Sequence, residues 1–185
     1  EHLAMLRSLP NYMVFRPCDT RETAAGWYAA LTHTTTPTGL ILSRQNMPAL
    51  EGTGKDALKG AYILRDCEGT PDVLLMASGS EVELIYKAYD ELAAKGVKAR
   101  VISMPCWELF TEQSDEYKES VMPKAVRARL AVEAAADFGW HKFVGLDGDV
   151  ICMEGFGASA PAGTLFKDFG FTVEQVVERA MALVK

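Results

Sequence analysis

Histidine and cysteine are scarce in this 185-residue sequence, and neither residue type is clustered. The three histidines lie far apart, without HExxH or paired-carboxylate spacing: His2, His33 and His141. The four cysteines show no CxxC spacing: Cys18, Cys67, Cys106 and Cys152. Because metal sites and disulfide frameworks require such spacing, the sequence predicts neither. It favours solvated or core histidines and a reducing compartment such as the cytoplasm.

Positive charge and long apolar runs are also lacking. The formal net charge is −6, so no basic field attracts a phosphate backbone and we expect no nucleic-acid partner. Apolar runs such as "DVLLMA" at 72–77 fall far short of the roughly 20 residues of a spanning helix, so we expect no membrane segment. The sequence begins at Glu1 without a methionine or a leader, and we interpret it as a fragment without a secretory signal.

The composition is sufficient for a core, at 49% hydrophobic residues, and it is arranged in two blocks. In the first block, "YMVFRP" at 12–17 and "TGLILS" at 38–43 predict strands. Between them, "DTRETAAGWYAAL" at 19–31 predicts a helix in which Asp19 and Glu22 have capping-box spacing. This strand, helix, strand order favours parallel pairing through a right-handed crossover. The first block is therefore an incomplete α/β unit.

A segment rich in glycine and proline separates the blocks. It reads "NMPALEGTGKDALKG" at 46–60 and interrupts an otherwise periodic sequence. We therefore divide the chain into an incomplete domain at 1–48, a linker at 49–60 and a complete domain at 61–185.

The second block alternates buried strands with helices. Its continuous apolar runs, typical of strands covered on both faces, are "AYIL" and "DVLLMAS". The stretch "KARVISM" resumes the sheet, and "ARLAVEAAA" and "DVICME" indicate further buried strands. Ser80 and Glu83 have capping-box spacing at the start of one helix, and Thr172 is expected to cap the last one. The predicted fold class is α/β: a partial parallel-sheet segment followed by a complete three-layer α/β domain with a mostly parallel sheet.

Two glycine-containing turns could bind a ligand. The Gly79–Ser80 turn before a helix resembles an anion cradle, but Glu81 and Glu83 would repel a phosphate, which favours simple capping. The "GFGASA" stretch at 155–160 begins like a dinucleotide-binding motif without completing one, which favours close backbone packing.

Three further candidates have structural alternatives. Cys106 lies near a helix start that would favour a thiolate, but no base can be assigned to it, so a packed thiol is favoured. The "DGD" stretch at 147–149 could hold a metal, although a tight turn entering a strand fits it better. Arg16, at the end of a strand, could line the same edge as Arg44, although an ion pair is favoured.

Arg44 belongs to a strand-like run that ends in polar residues. The stretch is "LILSRQN" at 40–46, and its last four side chains can all form hydrogen bonds. Open α/β folds bind ligands at the carboxyl edge of the sheet, which makes Arg44 a candidate for binding an anion. Spacing alone leaves a salt bridge or a carbonyl cap as an equal alternative.

Several long stretches, in the same order and across essentially the whole chain, resemble one family, transketolase. They are "LSRQN" at 42–46, "ASGSEV" at 77–82, "SMPCWELF" at 103–110, "AVEAAADFGW" at 131–140 and "FGASAPAGTLFKDFGFT" at 156–172. The related dihydroxyacetone synthase, which uses formaldehyde as acceptor, remains an alternative.

The resemblance implies the end of a pyrimidine-binding domain followed by a transketolase C-terminal domain. It also implies thiamine diphosphate and Mg²⁺ or Ca²⁺ in the full-length enzyme, sugar-phosphate substrates and a homodimer. The family's metal and diphosphate motif, its activating glutamate and its "DGPTHQP" segment are absent here, so no catalytic, cofactor-binding or metal-binding residue is carried over. Only Arg44 is carried over, because the arginine of "SRQN" contacts the terminal phosphate of the substrate in this family.

The implied reaction is transfer of a two-carbon ketol unit from a ketose phosphate to an aldose phosphate, in the pentose phosphate pathway. We expect the fragment alone to be inactive, since one arginine cannot replace the missing groups. The alternative from a different class is a non-catalytic dimerisation or ligand-sensing module.

Overall fold

A computed structural model describes residues 1–184, which contain two separate sheets. The strands are β1 (Met13–Phe15), β2 (Thr38–Leu40), β3 (Tyr62–Arg65), β4 (Val73–Ala77), β5 (Ala99–Ser103), β6 (Arg129–Val132) and β7 (Asp149–Ile151). Strands β1 and β2 pair in parallel. The other five lie in the order β3-β5-β4-β6-β7, with only β3 antiparallel to its neighbour. The predicted fold class is confirmed.

The helices of residues 1–184 cover and connect these sheets. They are α1 (His2–Arg7), α2 (Thr20–Thr32), α3 (Val82–Ala94), α4 (Trp107–Thr111), α5 (Asp115–Val121), α6 (His141–Val144), α7 (Ala162–Asp168) and α8 (Val173–Leu183). Short 3₁₀ helices lie at Lys55–Lys59 and Gly79–Glu81. No helix of the described residues is both long and apolar enough to span a membrane, and the longest, α2 and α3, have 13 residues each.

The five-stranded sheet lies between two helical layers because alternate residues of its strands face opposite sides. Leu75, Val101 and Leu130 pack into the core that contains the apolar faces of α3 and α8. Residues one position away, such as Met76 and Ile102, pack against the aromatic side chains of α4 and α6. Because both faces are covered, these strands can be apolar throughout, as their continuous apolar runs predicted.

Two of the predicted helix caps are confirmed. The side chain of Asp19 accepts hydrogen bonds from the backbone N–H groups of Arg21 and Glu22, both at 3.0 Å. Thr172 accepts one from the backbone N–H of Gln175 at 3.2 Å. In each case a side-chain oxygen satisfies helix donors that have no intrahelical partner.

The predicted cap at Ser80 is wrong. A 3₁₀ turn, Gly79–Glu81, precedes α3, which begins at Val82 and has no side-chain cap. The Ser80 hydroxyl instead donates to Oε1 of Glu81 at 2.5 Å. Glu81 is itself held by Arg16 from the first block, and this long-range ion pair is a partner that local spacing does not reveal.

Strand β2 is shorter than the predicted range 38–43. It ends at Leu40, and the last parallel hydrogen bond joins the N–H of Ile41 to the carbonyl of Phe15 at 2.9 Å. Its partner β1 cannot extend far beyond Phe15, because Pro17 has no N–H for the ladder. Leu42 is consequently 55% exposed and lies in a loop.

The segment predicted as a linker is packed against the rest of the chain. It contains the 3₁₀ helix Lys55–Lys59, and Leu50, Thr53 and Ala57 are buried. At its end, Gly60 accepts a hydrogen bond from the N–H of Cys106 at 3.0 Å. The segment therefore joins the two sheets through specific contacts.

Candidate functional site

The carboxyl end of the first sheet meets the carboxyl end of the second. Just beyond β1, the N–H of Arg16 donates to the carbonyl of Pro105 at 2.8 Å, and its carbonyl accepts from Gly79 at 3.0 Å. In the second sheet, the strand order reverses between β4 and β6. Open α/β sheets bind ligands at such a switch point, but here residues of the first block fill it.

Arg16 fills the switch point with its guanidinium. Nη1 lies 2.6 Å from Oε2 of Glu81 and also donates to the carbonyl of Ser78. Burial by itself would lower the pKa of Arg16, but the charges of Glu81 and Glu133 outweigh it and the pKa is raised. A Cβ on Gly79 would lie only 2.5 Å from the guanidinium carbon. The interpretation of Arg16 as an ion pair is confirmed, and the Gly79–Ser80 turn has no room for an anion.

Glu133 extends this contact to a second arginine. Its carboxylate accepts both Nη groups of Arg7, at 2.6 and 2.9 Å, the indole N–H of Trp140 at 2.8 Å and the Ser78 hydroxyl at 2.5 Å. Burial acts to raise the pKa of Glu133, but the charges of Arg7 and Arg16 and the hydrogen bonds from Arg7 and Ser78 together outweigh it, so the pKa is lowered. We name the following four residues the arginine–glutamate cluster: Arg7, Arg16, Glu81 and Glu133. Two cations and two anions balance in it, which satisfies the main requirement for burying charge.

A third carboxyl, Glu22, is fully buried between the blocks. It accepts hydrogen bonds from the hydroxyls of Tyr62 at 2.7 Å and Ser103 at 2.5 Å, and from the N–H of Cys18 at 2.8 Å. Burial raises the pKa of Glu22, and these hydrogen bonds offset the effect only in part. A complete capping box would also require the Glu22 carboxylate to accept the N–H of Asp19. Because it accepts the N–H of Cys18 instead, only the bond from the Glu22 N–H to the Asp19 side chain is formed.

We expect Glu22 to make stability fall as pH rises. Because its pKa is raised above the ordinary value of 4.5 in the folded state, its contribution is complete below that value and is lost as pH increases through the folded-state pKa. The free energy of unfolding of the wild type should therefore decrease relative to Glu22→Gln over the pH range that begins near 4.5 and extends upward. Urea denaturation of both proteins across this range measures the difference. If the free energies of unfolding of the two proteins changed with pH in parallel, the expectation would be contradicted. Glu133 contributes to stability with the opposite pH dependence, but both proteins contain it, so its contribution cancels in the comparison.

A cleft opens where the first sheet ends, between the start of α2 and the loop after β2. It has a volume of about 410 Å³. The lining residues are Pro17, Cys18, Asp19, Thr20, Thr23, Leu42, Ser43, Gln45, Asn46 and Met47. Arg44 is not a lining residue, although its chain neighbours Ser43 and Gln45 are, and it is exposed. Within residues 1–184 it forms neither a salt bridge nor a carbonyl cap, so its guanidinium is available to a ligand at this edge.

The remaining polar candidates have partners within the chain. Cys106 is fully buried, and burial raises the pKa of its thiol, as expected of a packed thiol. Asp147 pairs with Arg127, and Asp149 accepts both Nε and Nη2 of Arg179. Their carboxylates are therefore engaged in ion pairs.

The histidines and the "GFGASA" stretch are separate from the cleft lining. His33 Nδ1 lies 2.9 Å from the carbonyl of Ala29, and His141 pairs with Asp137 at 3.1 Å. His2 is exposed, and Phe156 of the "GFGASA" loop is 98% exposed. Within the part of the chain that the structure describes, no three His, Cys, Asp or Glu side chains are grouped so as to hold a metal ion.

Sequence reasoning missed the partners of the arginine–glutamate cluster. Arg7 and Glu133 are 126 positions apart, and Arg16 and Glu81 are 65 apart. One signal was present: Glu133 directly follows a buried apolar strand, and a charge at that position requires a partner. The pattern does not identify which partner.

Comparisons with known proteins match both blocks. A family model described as "Transketolase, pyrimidine binding domain" matches residues 1–49, and one described as "Transketolase-like TK C-terminal domain" matches residues 60–172. A transketolase of Halalkalibacterium halodurans is 49% identical over 189 residues, and transketolase 1 of Escherichia coli is 49% identical over 187. Each match covers 100% of this chain and 28% of the relative, so the chain spans little more than a quarter of these proteins.

Solved structures agree with these matches. A transketolase from Leishmania mexicana has a TM-score of 0.94 at 43% identity, over 100% of this chain and 27% of that one. A Pichia stipitis transketolase in complex with sedoheptulose 7-phosphate has a TM-score of 0.92 at 43% identity, over 98% of this chain and 26% of that one.

Proposed function

This chain belongs to the transketolase family, and on that premise we propose that it forms the C-terminal part of a thiamine diphosphate-dependent transketolase. The complete enzyme transfers a two-carbon ketol unit from a ketose phosphate to an aldose phosphate, as in the pentose phosphate pathway. Residues 1–48 are the end of its pyrimidine-binding domain, 49–60 the linker and 61–185 the C-terminal domain. The extents of the two family matches support this division.

The free guanidinium of Arg44 is the observation that carries the proposed substrate class. Arg7 and Arg16 lie where the two sheets meet, but both are neutralised by buried glutamates. Arg44 has no such acid within residues 1–184, and its chain neighbours Ser43 and Gln45 line a cleft at the carboxyl edge of a parallel strand pair. A planar guanidinium can hold two phosphate oxygens at once, so Arg44 binds the terminal phosphate of the sugar.

The described residues do not fit a resident diphosphate and its cation. They contain no group of three His, Cys, Asp or Glu side chains suited to a metal. The buried acids nearest the cleft, Asp19 and Glu22, use their carboxylates for internal hydrogen bonds. We therefore assign no residue of this chain to thiamine diphosphate or to Mg²⁺ or Ca²⁺, and we propose that the chain alone is inactive.

Exposed apolar residues of α2 support association of the complete enzyme, which we propose is a homodimer. Trp27, Tyr28 and Leu31 are 54%, 60% and 73% exposed, and they lie close together on one helix. Such a patch is typical of a surface that another domain or subunit covers. The cysteines of the described chain are all free thiols, which supports a cytoplasmic location.

Replacing Arg44 by alanine in the complete enzyme tests the phosphate assignment. Charge-assisted hydrogen bonds contribute on the order of 1.5 to 3 kcal/mol, so kcat/KM for ribose 5-phosphate as acceptor should fall roughly tenfold to a hundredfold. With ribose, which has no phosphate, kcat/KM should stay unchanged. Arg127→Ala is the matched control, because that arginine is exposed and precedes β6, a strand of the other sheet. An unchanged kcat/KM for ribose 5-phosphate in Arg44→Ala would show that the phosphate binds elsewhere.

A further inference from the structure

The loop that carries Arg44 is held only at its ends. At its start, the N–H of Ile41 donates to the carbonyl of Phe15 at 2.9 Å. At its end, the N–H of Leu50 donates to Oδ2 of Asp19 at 3.1 Å. Between these two bonds, residues 42–49 form no hydrogen bond with any other group of residues 1–184. The position of Arg44 therefore depends on the two anchors.

The second anchor is a buried carboxylate with two separate tasks. Oδ1 of Asp19 caps α2, whereas Oδ2 accepts from Leu50 and, at 2.6 Å, from the hydroxyl of Thr53. That hydroxyl also lies 2.8 Å from the carbonyl of Leu50. Asp19 and Thr53 are only 5% and 7% exposed, so water competes little for these bonds. One side chain thus joins the start of a helix to the far end of the Arg44 loop.

We propose that Asp19 and Thr53 are positioning residues for the phosphate site: Asp19 closes the loop by accepting from Leu50, the Thr53 hydroxyl joins Asp19 to the Leu50 carbonyl, and together they hold Arg44 beside the cleft. A long, flexible side chain on an open loop must be ordered when substrate binds. The conformational entropy that the side chain and loop then lose weakens binding. Closing the loop in advance removes part of that loss, as in other preorganised sites. This role rests on the proposed contact between Arg44 and the substrate phosphate.

Direct binding of substrate phosphate by Asp19 is disfavoured, although the residue lines the cleft. Its carboxylate is negative and both oxygens are already used by N–H and O–H donors of the chain. Asp19 therefore acts on the substrate only through the loop.

Two substitutions distinguish the loop anchor at Oδ2 of Asp19 from the helix cap at Oδ1. Thr53→Val keeps the shape of the side chain and removes the hydroxyl, while leaving the α2 cap intact. Asp19→Asn retains a good capping oxygen, but its amide nitrogen cannot accept from Leu50. In the complete enzyme, both variants should raise KM for ribose 5-phosphate roughly twofold to tenfold, with kcat unchanged and no effect on ribose. Thr53→Ser restores the hydroxyl and should restore the wild-type KM.

A merely structural role gives a different pattern. Thr172→Val is the matched control, because it removes a cap hydroxyl from α8 and should leave the ratio of ribose 5-phosphate to ribose activity unchanged. The double variant Arg44→Ala, Thr53→Val should show the loss of Arg44→Ala alone, since the anchor acts through Arg44.

The possible failures are distinguishable. If Arg44→Ala loses its preference for the phosphorylated acceptor and Thr53→Val retains it, the positioning role is wrong and the phosphate assignment stands. If Arg44→Ala retains that preference, both are wrong. Equal losses with ribose and ribose 5-phosphate in Thr53→Val would overturn the positioning role alone.

Discussion

Replacing Glu133 by alanine is expected to lower the free energy of unfolding by about 3 to 5 kcal/mol, the range for removing one partner of a buried ion pair. The wild-type carboxylate is fully buried and receives four hydrogen bonds, two of them from Arg7. Without it, Arg7 is left as a charge whose side chain is only 6% exposed, and the indole N–H of Trp140 loses its partner. Equilibrium denaturation in urea measures the loss.

Glu83→Ala is the control for this variant. Glu83 also pairs with a cation, Lys87, but that pair lies on the surface of α3, with the lysine side chain 60% exposed. Exposed pairs at this helical spacing contribute about 0.3 to 0.5 kcal/mol. A Glu133→Ala variant as stable as Glu83→Ala would mean that the arginine–glutamate cluster does not hold the two blocks together.

Gly60→Ala is the second substitution with a large expected effect, a loss of roughly 2 to 5 kcal/mol from combined backbone strain and overpacking. Gly60 has a φ of +83°, where a side chain is strained. A Cβ there would lie 2.2 Å from both the carbonyl oxygen of Cys106 and the backbone nitrogen of Phe110. These are backbone atoms of α4 and its N-terminal cap, so the helix itself would have to move. Thermal and urea denaturation should both show the loss.

Gly69→Ala measures the cost of the backbone conformation without the steric clash that a Cβ would make at Gly60. Gly69 has nearly the same φ, +80°, but the only atom near a new Cβ is the flexible tip of Lys98 at 3.8 Å. Its substitution should cost about 1 kcal/mol, for the backbone conformation alone. Equal costs at the two positions would contradict the close contact between Gly60 and α4.

Most strands of the second sheet could be predicted from the sequence because they are buried on both faces. A continuous run such as 73–77 can be apolar only where two layers of helices cover it. The carboxyl end of β2 was predicted less well. Ile41 and Leu42 have strand-forming side chains, but Pro17 on the neighbouring segment limits the ladder, and pairing partners are not encoded locally.

The functions of the arginines could not be separated from sequence alone. Arg16 and Arg44 both follow strands of the same parallel pair, and local spacing gives them the same status. What distinguishes them is a pair of glutamates far along the chain, Glu81 and Glu133, which neutralise Arg16 and leave Arg44 free. Only the fold brings those charges together, through the meeting of the two sheet edges. The resemblance of "LSRQN" to a family motif singles out Arg44, and its contact with a substrate phosphate stays a prediction.

A crystal structure of the complete enzyme with ribose 5-phosphate bound tests the central claim most directly. Two nitrogens of the Arg44 guanidinium should lie about 2.7 to 2.9 Å from phosphate oxygens, the spacing of charge-assisted hydrogen bonds. The sugar should extend from there into the cleft beside residues 17–23. A phosphate bound elsewhere, with Arg44 paired to an acid of its own or a neighbouring subunit, would contradict the account.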